Sequence, residues 1–214
     1  MTILVIVAHS DDQVFGPGGT VAKYSSEGEE IRTIIFSYGE TSHPHFKKEI
    51  IRKIRVKEAL EADKILGGNG VIFLGAPDGH IKSEEERLKR DLKDLFLLYK
   101  PKKIFTHAED EALPDHVIVN KIVTSVYDEL HETKKMKIDI YTFGIWRFFK
   151  LSRRYDPKLY VDITDYFAKK LETLKVFKSQ TNAMLVLKWS VYVKALVNGF
   201  KINKPFAEVF YKIR

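Results

Sequence analysis

The stretch VIVAHSDDQVFGPGG, residues 5–19, decides the fold. It begins as an apolar run, which is the pattern of a central strand buried on both faces of a parallel sheet. The run ends at His9, Asp11 and Asp12, and a glycine-rich segment follows. Polar residues directly after a buried strand lie at the carboxyl edge of the sheet, where open α/β sheets bind their ligands.

Outward from this strand, apolar strand patterns alternate with helical patterns. We predict strands within residues 2–8, 29–39, 70–75, 102–108, 137–145, 159–164 and 206–214. We predict helices within residues 48–68, 83–100, 115–132 and 165–178. This alternation predicts an α/β fold that is Rossmann-like, with a mostly parallel sheet and helices on both faces.

Local signals place some of these boundaries. The helix within residues 48–68 has helical spacing at Ile50, Ile54, Leu60 and Ile65, and it is predicted to end at Gly67. Ser83, followed three residues later by a glutamate, forms a capping-box pattern for the next helix. The aromatic-rich stretch 143–160 is predicted to form an irregular wall beside the site.

Length and composition bound the class of protein. The 214 residues predict a single domain, with about 143–214 as a C-terminal elaboration, and the hydrophobic fraction of 44% is enough for a large core. The absence of cysteine excludes disulfides, a zinc ribbon and a cysteine nucleophile, so any metal must be held by His, Asp or Glu. No run of about 18 apolar residues and no basic leader occurs, so we expect no membrane span and a cytoplasmic location.

The net charge of +7 raises the question of an anionic partner. The lysines alternate with acidic residues, as in HIKSEEERLKRDLKD, which is typical of a solvated helix face. No nucleic-acid-binding module accompanies the basic residues, so we expect no nucleic-acid partner.

Two polar clusters are predicted to meet at one edge of the sheet. A strand order of 3-2-1-4-5 makes the first and fourth strands neighbours. The fourth strand is followed by THAEDEALPDH, which contains His107, Asp110, Asp115 and His116. Two imidazoles and a carboxylate in one cleft would form a zinc site with an open position for water, and a further carboxylate would serve as general base.

Five segments, in order along nearly the whole chain, resemble the PIG-L / LmbE-like family of zinc-dependent N-acetylglucosamine deacetylases. AHSDDQVFGPGGTVAKYSSEG is similar to the first motif, A-H-P-D-D-E, and PDHVIVN is similar to the second, H-P-D-H. RVKEALEADKILG, FLGAPDG and KVFKSQT match three weaker segments. The resemblance implies an LmbE-like fold and three zinc ligands, namely His9, Asp12 and His116, with Asp11 as the catalytic general base.

The resemblance also implies supporting roles. Arg55, or otherwise Arg52, would contact polar groups of the substrate. Asp115 would lie behind the ligands and orient a histidine. Gly18 and Gly19 would allow a tight turn under the metal-binding loop.

Departures from the family pattern bear on catalysis. Leu113 stands where the family has the histidine that helps stabilise the oxyanion, a loss of about 3 kcal/mol unless another group replaces it. His107, with His80 as the alternative, is the predicted catalytic replacement. Gln13 replaces the glutamate behind the ligands and removes one charge, and Ser10 replaces proline.

The predicted function is removal of an N-acetyl group from a GlcNAc-type sugar or glycoconjugate by a Zn²⁺-dependent hydrolase, other divalent ions remaining alternatives. The partner would be that small molecule, and homo-oligomerisation stays open.

One rival is a metal- or carbohydrate-binding member with lost or weak catalysis, suggested by Leu113 and Gln13. A nucleotide-binding oxidoreductase is a second rival, because GPGGT resembles part of a dinucleotide fingerprint and Glu40 follows the second strand. The first glycine does not directly follow the strand, which disfavours this rival.

Overall fold

Seven strands form one sheet in the computed structural model, which describes residues 1–42, 46–146 and 157–214. The strands are β1 (Thr2–Val7), β2 (Glu30–Ser37), β3 (Val71–Ala76), β4 (Lys103–His107), β5 (Asp139–Phe143), β6 (Lys158–Asp162) and β7 (Ala207–Lys212). The helices are α1 (Asp12–Phe15), α2 (Gly18–Ser26), α3 (Lys48–Leu66), α4 (Glu85–Tyr99), α5 (Pro114–Lys134), α6 (Phe167–Leu174) and α7 (Thr181–Phe200). The predicted α/β fold with a mostly parallel sheet is confirmed.

The strand order is β3-β2-β1-β4-β5-β7-β6. The first five strands in this order pair in parallel, whereas β7 is antiparallel to both β5 and β6. The parallel pairing brings the carboxyl ends of β1 and β4 side by side. The predicted wall beside the site lies largely outside the described residues, since they omit 147–156.

Strand β1 lies at the centre of the sheet and supplies both halves of the core. Ile3, Val5 and Val7 pack into the apolar cluster that includes residues of α2, α3 and α6. Leu4 and Ile6 pack on the opposite face with residues of α4 and α5. Burial on both faces explains why this strand is apolar from Ile3 to Val7 and why a cluster of polar residues appears only after it ends.

Helix α3 occurs where predicted and ends at Gly67, which has a φ of +84°. The residues that suggested its apolar face are nevertheless largely exposed: Ile50, Ile54 and Leu60 are 47%, 40% and 49% accessible. The buried face consists of Ile51, Arg55, Glu58, Ala59, Ala62, Asp63 and Leu66. Three of these are charged, and each has a hydrogen-bond partner, so the apolar spacing marked the wrong side of the helix.

The predicted capping box of α4 is wrong. The helix begins at Glu85, after a single turn of 3-10 helix over Ile81–Glu84, and its N-cap residue makes no side-chain cap hydrogen bond. The hydroxyl of Ser83 instead donates to the carbonyl oxygen of His80, at 2.8 Å. Ser83, which resembled an N-cap residue, therefore belongs to the short 3-10 helix that precedes α4.

The glycines after β1 allow close packing rather than a tight turn. Gly18 and Gly19 begin α2 and have no positive φ. A Cβ at Gly19 would lie 2.7 Å from Ile163, and one at Gly16 would lie 2.3 Å from the ring of Phe143. The neighbouring elements therefore approach the backbone of this segment too closely for a side chain.

A buried ion pair anchors the same segment to the C-terminal region. Lys170 donates to Glu208 at 2.6 Å and to the carbonyl oxygen of Gly16 at 2.9 Å. Glu208 accepts the backbone N–H groups of Gly19 and Thr20 in the first turn of α2. The C-terminal strands thus hold the loop that follows β1 in place.

The region predicted as an elaboration supplies β6, β7, α6 and α7 around one side of the sheet. Helix α7, which the sequence patterns did not indicate, spans 20 residues. Among the described residues, no helix is long and apolar enough to cross a bilayer. The cytoplasmic location stays a prediction.

Candidate metal centre and active site

Three segments that follow parallel strands converge at the carboxyl edge of the sheet. The loop after β1 carries His9, Asp11 and Asp12, and the first turn of α5, which follows β4, carries Asp115 and His116. The turn after β3 approaches from the other side of β1. The predicted convergence of two clusters separated by about 100 residues follows from the adjacency of β1 and β4.

His9, Asp12 and His116 form the candidate metal centre. One ligand atom from each lies within 4.8 Å of the others. Asp12 Oδ2 is 3.5 Å from His9 Nδ1 and 3.3 Å from His116 Nε2, and it accepts the backbone N–H of His9 at 2.8 Å. Although burial opposes ionisation, the nearby imidazole of His116 keeps the pKa of Asp12 well below its usual range.

The buried nitrogen of His116 tests whether these residues suit a metal ion. Its Nε2 atom has no hydrogen-bond partner among the described residues, although it is shielded from solvent. Burial alone would lower the pKa of His116, yet the carboxylates of Asp12 and Glu111 raise it to about 9. Two imidazoles and one carboxylate, with Nε2 of His116 left without a hydrogen-bond partner, fit a divalent ion with three protein ligands and an open position.

Glu111 orients His116, a role that the sequence did not reveal. Its Oε2 atom is 3.3 Å from Nδ1 of His116, and its carboxylate accepts the backbone N–H groups of Ile145 and Trp146. The hydrogen bond to Glu111 leaves Nε2 of His116 facing Asp12. Burial would raise the pKa of Glu111, but its hydrogen bond with His116 and the charge of that imidazole lower it.

Asp115 and Asp78 flank the other histidine. Nε2 of His9 is 3.2 Å from Asp78 Oδ1 and 3.4 Å from Asp115 Oδ2. Asp78 also accepts two hydrogen bonds from Thr41, and these bonds, with that of His9, outweigh burial and lower the pKa of Asp78. The same carboxylates overcome the burial of His9 and raise its pKa. His9, Asp78 and Asp115 form a second group that is close enough to hold an ion, and it shares His9 with the first.

Asp11 is paired with Arg55. The guanidinium donates to Asp11 Oδ1 at 3.1 Å, and Arg55 is only 2% accessible. Gly39 has a φ of +66°, and a Cβ there would lie 2.5 Å from Nε of Arg55, so glycine makes room for this side chain. The structure places Arg55 against the predicted base, whereas Arg52 is exposed and lies 3.7 Å from the ring centroid of Tyr38.

His107 lies beneath the cluster and is fully buried. Its ring stacks on His116 with a centroid separation of 3.8 Å, and its Nε2 accepts the backbone N–H of Ala8 at 3.0 Å. Burial, with the neighbouring imidazole of His116, lowers the pKa of His107 to about 4. An imidazole in this position supports His116 and Asp12, and because the side chain has no exposed surface, the geometry does not favour the predicted contact with substrate.

The remaining predicted site residues lie around the cluster. Leu113 is the N-cap residue of α5 and is half-buried. His80 is exposed in the turn after β3, with Nδ1 3.2 Å from the carbonyl oxygen of Asp78. The amide nitrogen of Gln13 donates to the carbonyl oxygens of Ser10 and Ala59, at 3.1 and 3.4 Å. Gln13 therefore fastens the ligand-bearing loop to α3.

The fold and this cluster define an α/β protein with a candidate metal centre at the carboxyl edge of its sheet. Residues 4–127, more than half of the chain, match the family model described as PIG-L, GlcNAc-PI de-N-acetylase. The chain belongs to the PIG-L family, as its sequence motifs indicated.

Individual relatives are distant. The chain is 25% identical over 190 residues to the probable N-acetyl-alpha-D-glucosaminyl L-malate deacetylase 2 of Bacillus cereus, a match that covers 86% of this chain and 85% of that protein. It is 24% identical over 217 residues to the 4-oxalmesaconate hydratase of Pseudomonas putida, covering 94% and 81%. The structure of N,N'-diacetylchitobiose deacetylase from Pyrococcus horikoshii superposes with a TM-score of 0.85 at 21% identity, covering 99% of this chain and 83% of that one, which shows a shared fold.

Proposed function

We propose that this chain is a metal-dependent hydrolase that releases the N-acetyl group from a GlcNAc-type sugar or conjugate. The observation that carries the proposal is the cluster of His9, Asp12 and His116 beside the carboxylate of Asp11, in a member of the PIG-L family. The deacetylase names of the relatives from Bacillus cereus and Pyrococcus horikoshii support the sugar class.

Zinc is the proposed ion, with His9, Asp12 and His116 as its ligands, and other divalent ions also suit this donor set. An ion bound there would polarise the acetyl carbonyl and lower the pKa of a water molecule. Glu111, Asp78 and Asp115 fix the two imidazoles in orientations that suit ligation.

Asp11 is the proposed acid–base group. During hydrolysis the water oxygen bonds to the acetyl carbon, and the bond from that carbon to nitrogen breaks. Asp11 takes a proton from the attacking water and passes it to the departing nitrogen, so acetate and the free amine leave and the carboxylate is restored. Arg55 holds the carboxylate in position through Oδ1.

Stabilisation of the oxyanion requires a hydrogen-bond donor near the carbonyl oxygen of the substrate. Leu113 has no donor, and His107 is fully buried beneath the cluster. His80 is the exposed imidazole beside Asp78, and it would need to turn toward the substrate's carbonyl oxygen. It is therefore the better-placed of the two predicted replacements.

Hydration of a carbon–carbon double bond in a small carboxylate is the second candidate. The match to the hydratase of Pseudomonas putida covers 94% of this chain, more than the match to the Bacillus cereus deacetylase. A general base beside a divalent ion also suits the addition of water. Loss of the family histidine at Leu113 agrees with a reaction other than amide hydrolysis.

Product analysis separates the two candidates. Purified protein loaded with zinc would be incubated with GlcNAc conjugates and, separately, with unsaturated dicarboxylates. Release of acetate with an equal amount of free amine supports the deacetylase proposal. Hydration products without acetate would replace it with the hydratase, and no product from either panel would favour a binding protein that has lost catalysis.

A further inference from the structure

Helix α7 has an apolar outer side that nothing in the chain covers among the described residues. Its inner side packs on the sheet through Leu187, Val191 and Ala195, which are buried. Between residues 184 and 200 nine residues are exposed, and Lys188 is the only one of them that is not apolar or aromatic. A helix that is apolar all round is normally covered on every side.

The exposed residues form a regular seam. Leu185, Trp189, Tyr192 and Leu196 are spaced four, three and four residues apart, so they lie along one line of the helix. This spacing is the pattern by which two helices interlock their side chains.

A second line of side chains lies beside this seam. It consists of Val186, Val193, Val197 and Phe200, all at least 48% exposed. The outer face of α7 is defined here as these four residues together with the four of the seam. Its width of two lines matches the surface that a neighbouring helix covers.

The exposed area is large enough for a stable association. Trp189 and Phe200 are 74% and 83% exposed, and together they present about 300 Å² of aromatic surface. That is already the size of the largest apolar patch of an ordinary monomer. The six further side chains extend the face toward the roughly 800 Å² that each partner contributes to a stable interface.

Charge indicates which kind of partner fits. Residues 173–207 contain no aspartate or glutamate, and Lys188 is the only exposed charge between residues 184 and 200. A helix that binds a bilayer surface carries many basic residues on its polar side, whereas this helix packs its other side on the sheet. A face that is aromatic, apolar and almost without charge has the composition of an interface centre.

We infer that the outer face of α7 binds the same face of a second copy of this chain, forming a dimer with a two-fold axis. Such a contact is self-complementary, because each apolar line meets its counterpart and no ion pair is required. Burial of apolar surface drives the association, so it persists at high salt.

Size-exclusion chromatography with light scattering, over a wide range of concentrations of the full chain, tests this inference. The variant Leu185→Glu/Leu196→Glu places charge in the seam at residues that are 71% and 50% exposed. The matched control, Leu98→Glu/Leu60→Glu, changes leucines that are 68% and 49% exposed on other helices. Circular dichroism establishes that both are folded, and Val193→Lys provides an independent change in the face.

We expect a wild-type dimer at micromolar concentration, both at low salt and in 0.5 M sodium chloride. The seam variant and Val193→Lys should raise the dissociation constant at least about 100-fold, while the control changes it less than about threefold. A monomeric wild type, or an oligomer that the seam variant leaves intact, overturns the inference. A monomer that sediments with anionic phospholipid vesicles also overturns it and assigns the face to a bilayer.

Discussion

Asp11 and Asp12 are adjacent in the chain but have different partners. Asp12 faces His9 and His116, while Asp11 is held by Arg55. Asp11→Asn should keep the bound ion and reduce acetate release by roughly 10² to 10⁴-fold, because the amide cannot accept the proton. Metal content and turnover, measured on the same preparation, check this.

Asp12→Asn is the control for that experiment, since it should lose the ion together with the activity. Unchanged turnover in Asp11→Asn would assign the base to another carboxylate near the cleft.

Glu111 offers a test of ligand orientation. Glu111→Gln weakens the hydrogen bond that holds Nδ1 of His116, so the dissociation constant for zinc should rise by about 10 to 100-fold. Competition with a chelator of known affinity measures it. Glu109→Gln, an exposed neighbour on the same loop, should leave the constant unchanged. Equal effects in the two variants would show that Glu111 acts only through loop charge.

The missing histidine at Leu113 can be tested with three variants. If His80 replaces it, His80→Ala should lower kcat more than it changes KM, because contacts to the oxyanion strengthen in the transition state. His107→Ala should instead weaken zinc binding, since His107 stacks on His116. If nothing replaces the histidine, wild-type turnover is slow and Leu113→His should raise it. Fast turnover that His80→Ala leaves unchanged would refute the role of His80.

At the scale of single residues, the sequence revealed the ligands and not their supports. His9, Asp12 and His116 follow strand ends within recognisable motifs. Glu111 and Asp78 became apparent only when the fold brought their carboxylates to the two imidazoles. The segment AEDE, residues 108–111, contains three acidic residues, and nothing in the sequence shows which of them faces inward. The geometry of the loop decides this.

At the scale of elements, burial changes the pKa of a carboxyl group near the end of α3, that of Asp63. Burial raises the pKa of Asp63 from its ordinary value near 3.8 to about 6, despite a hydrogen bond from the backbone of Gly70. A folded-state pKa above the unfolded value means that the folded chain holds this proton more tightly. The contribution of Asp63 to the free energy of unfolding is therefore favourable below pH 4, and it is lost as the pH rises through about 6.

Asp63→Asn should consequently increase the free energy of unfolding at pH 7 by on the order of 2 kcal/mol and flatten its dependence on pH between about 4 and 6. Urea unfolding at several pH values measures both. Asp94→Asn, an exposed change on α4 that removes the same charge, is the control. A variant less stable than wild type at pH 7 would mean that the hydrogen bond to Gly70 outweighs the cost of burial.

Secondary structure was predictable where a segment showed one clear pattern of apolar residues. It was less predictable where tertiary packing determined which residues are buried. Strand β1 is apolar from Ile3 to Val7 because both of its faces are covered. The buried face of α3 contains three charged residues that have hydrogen-bond partners, namely Arg55, Glu58 and Asp63. The apolar spacing therefore indicated the opposite, exposed face. Helix α7 is apolar on both sides, which removes the contrast that identifies an amphipathic helix.

At the scale of the whole molecule, strand order produces the site. Residues 9–12 and 115–116 are distant in the chain, and only the pairing of β1 with β4 brings them together. An ion held by both segments would tie them to each other, so the loaded protein should be more stable than the metal-free one.

Acetate release measured against the amount of zinc added to metal-free protein tests the central claim most directly. With a GlcNAc conjugate that the wild type accepts, activity should rise in proportion to bound zinc and level off at one ion per chain, and His116→Ala should neither bind the ion nor release acetate. Acetate release that persists in the metal-free protein, or full zinc occupancy in His116→Ala, would contradict the account.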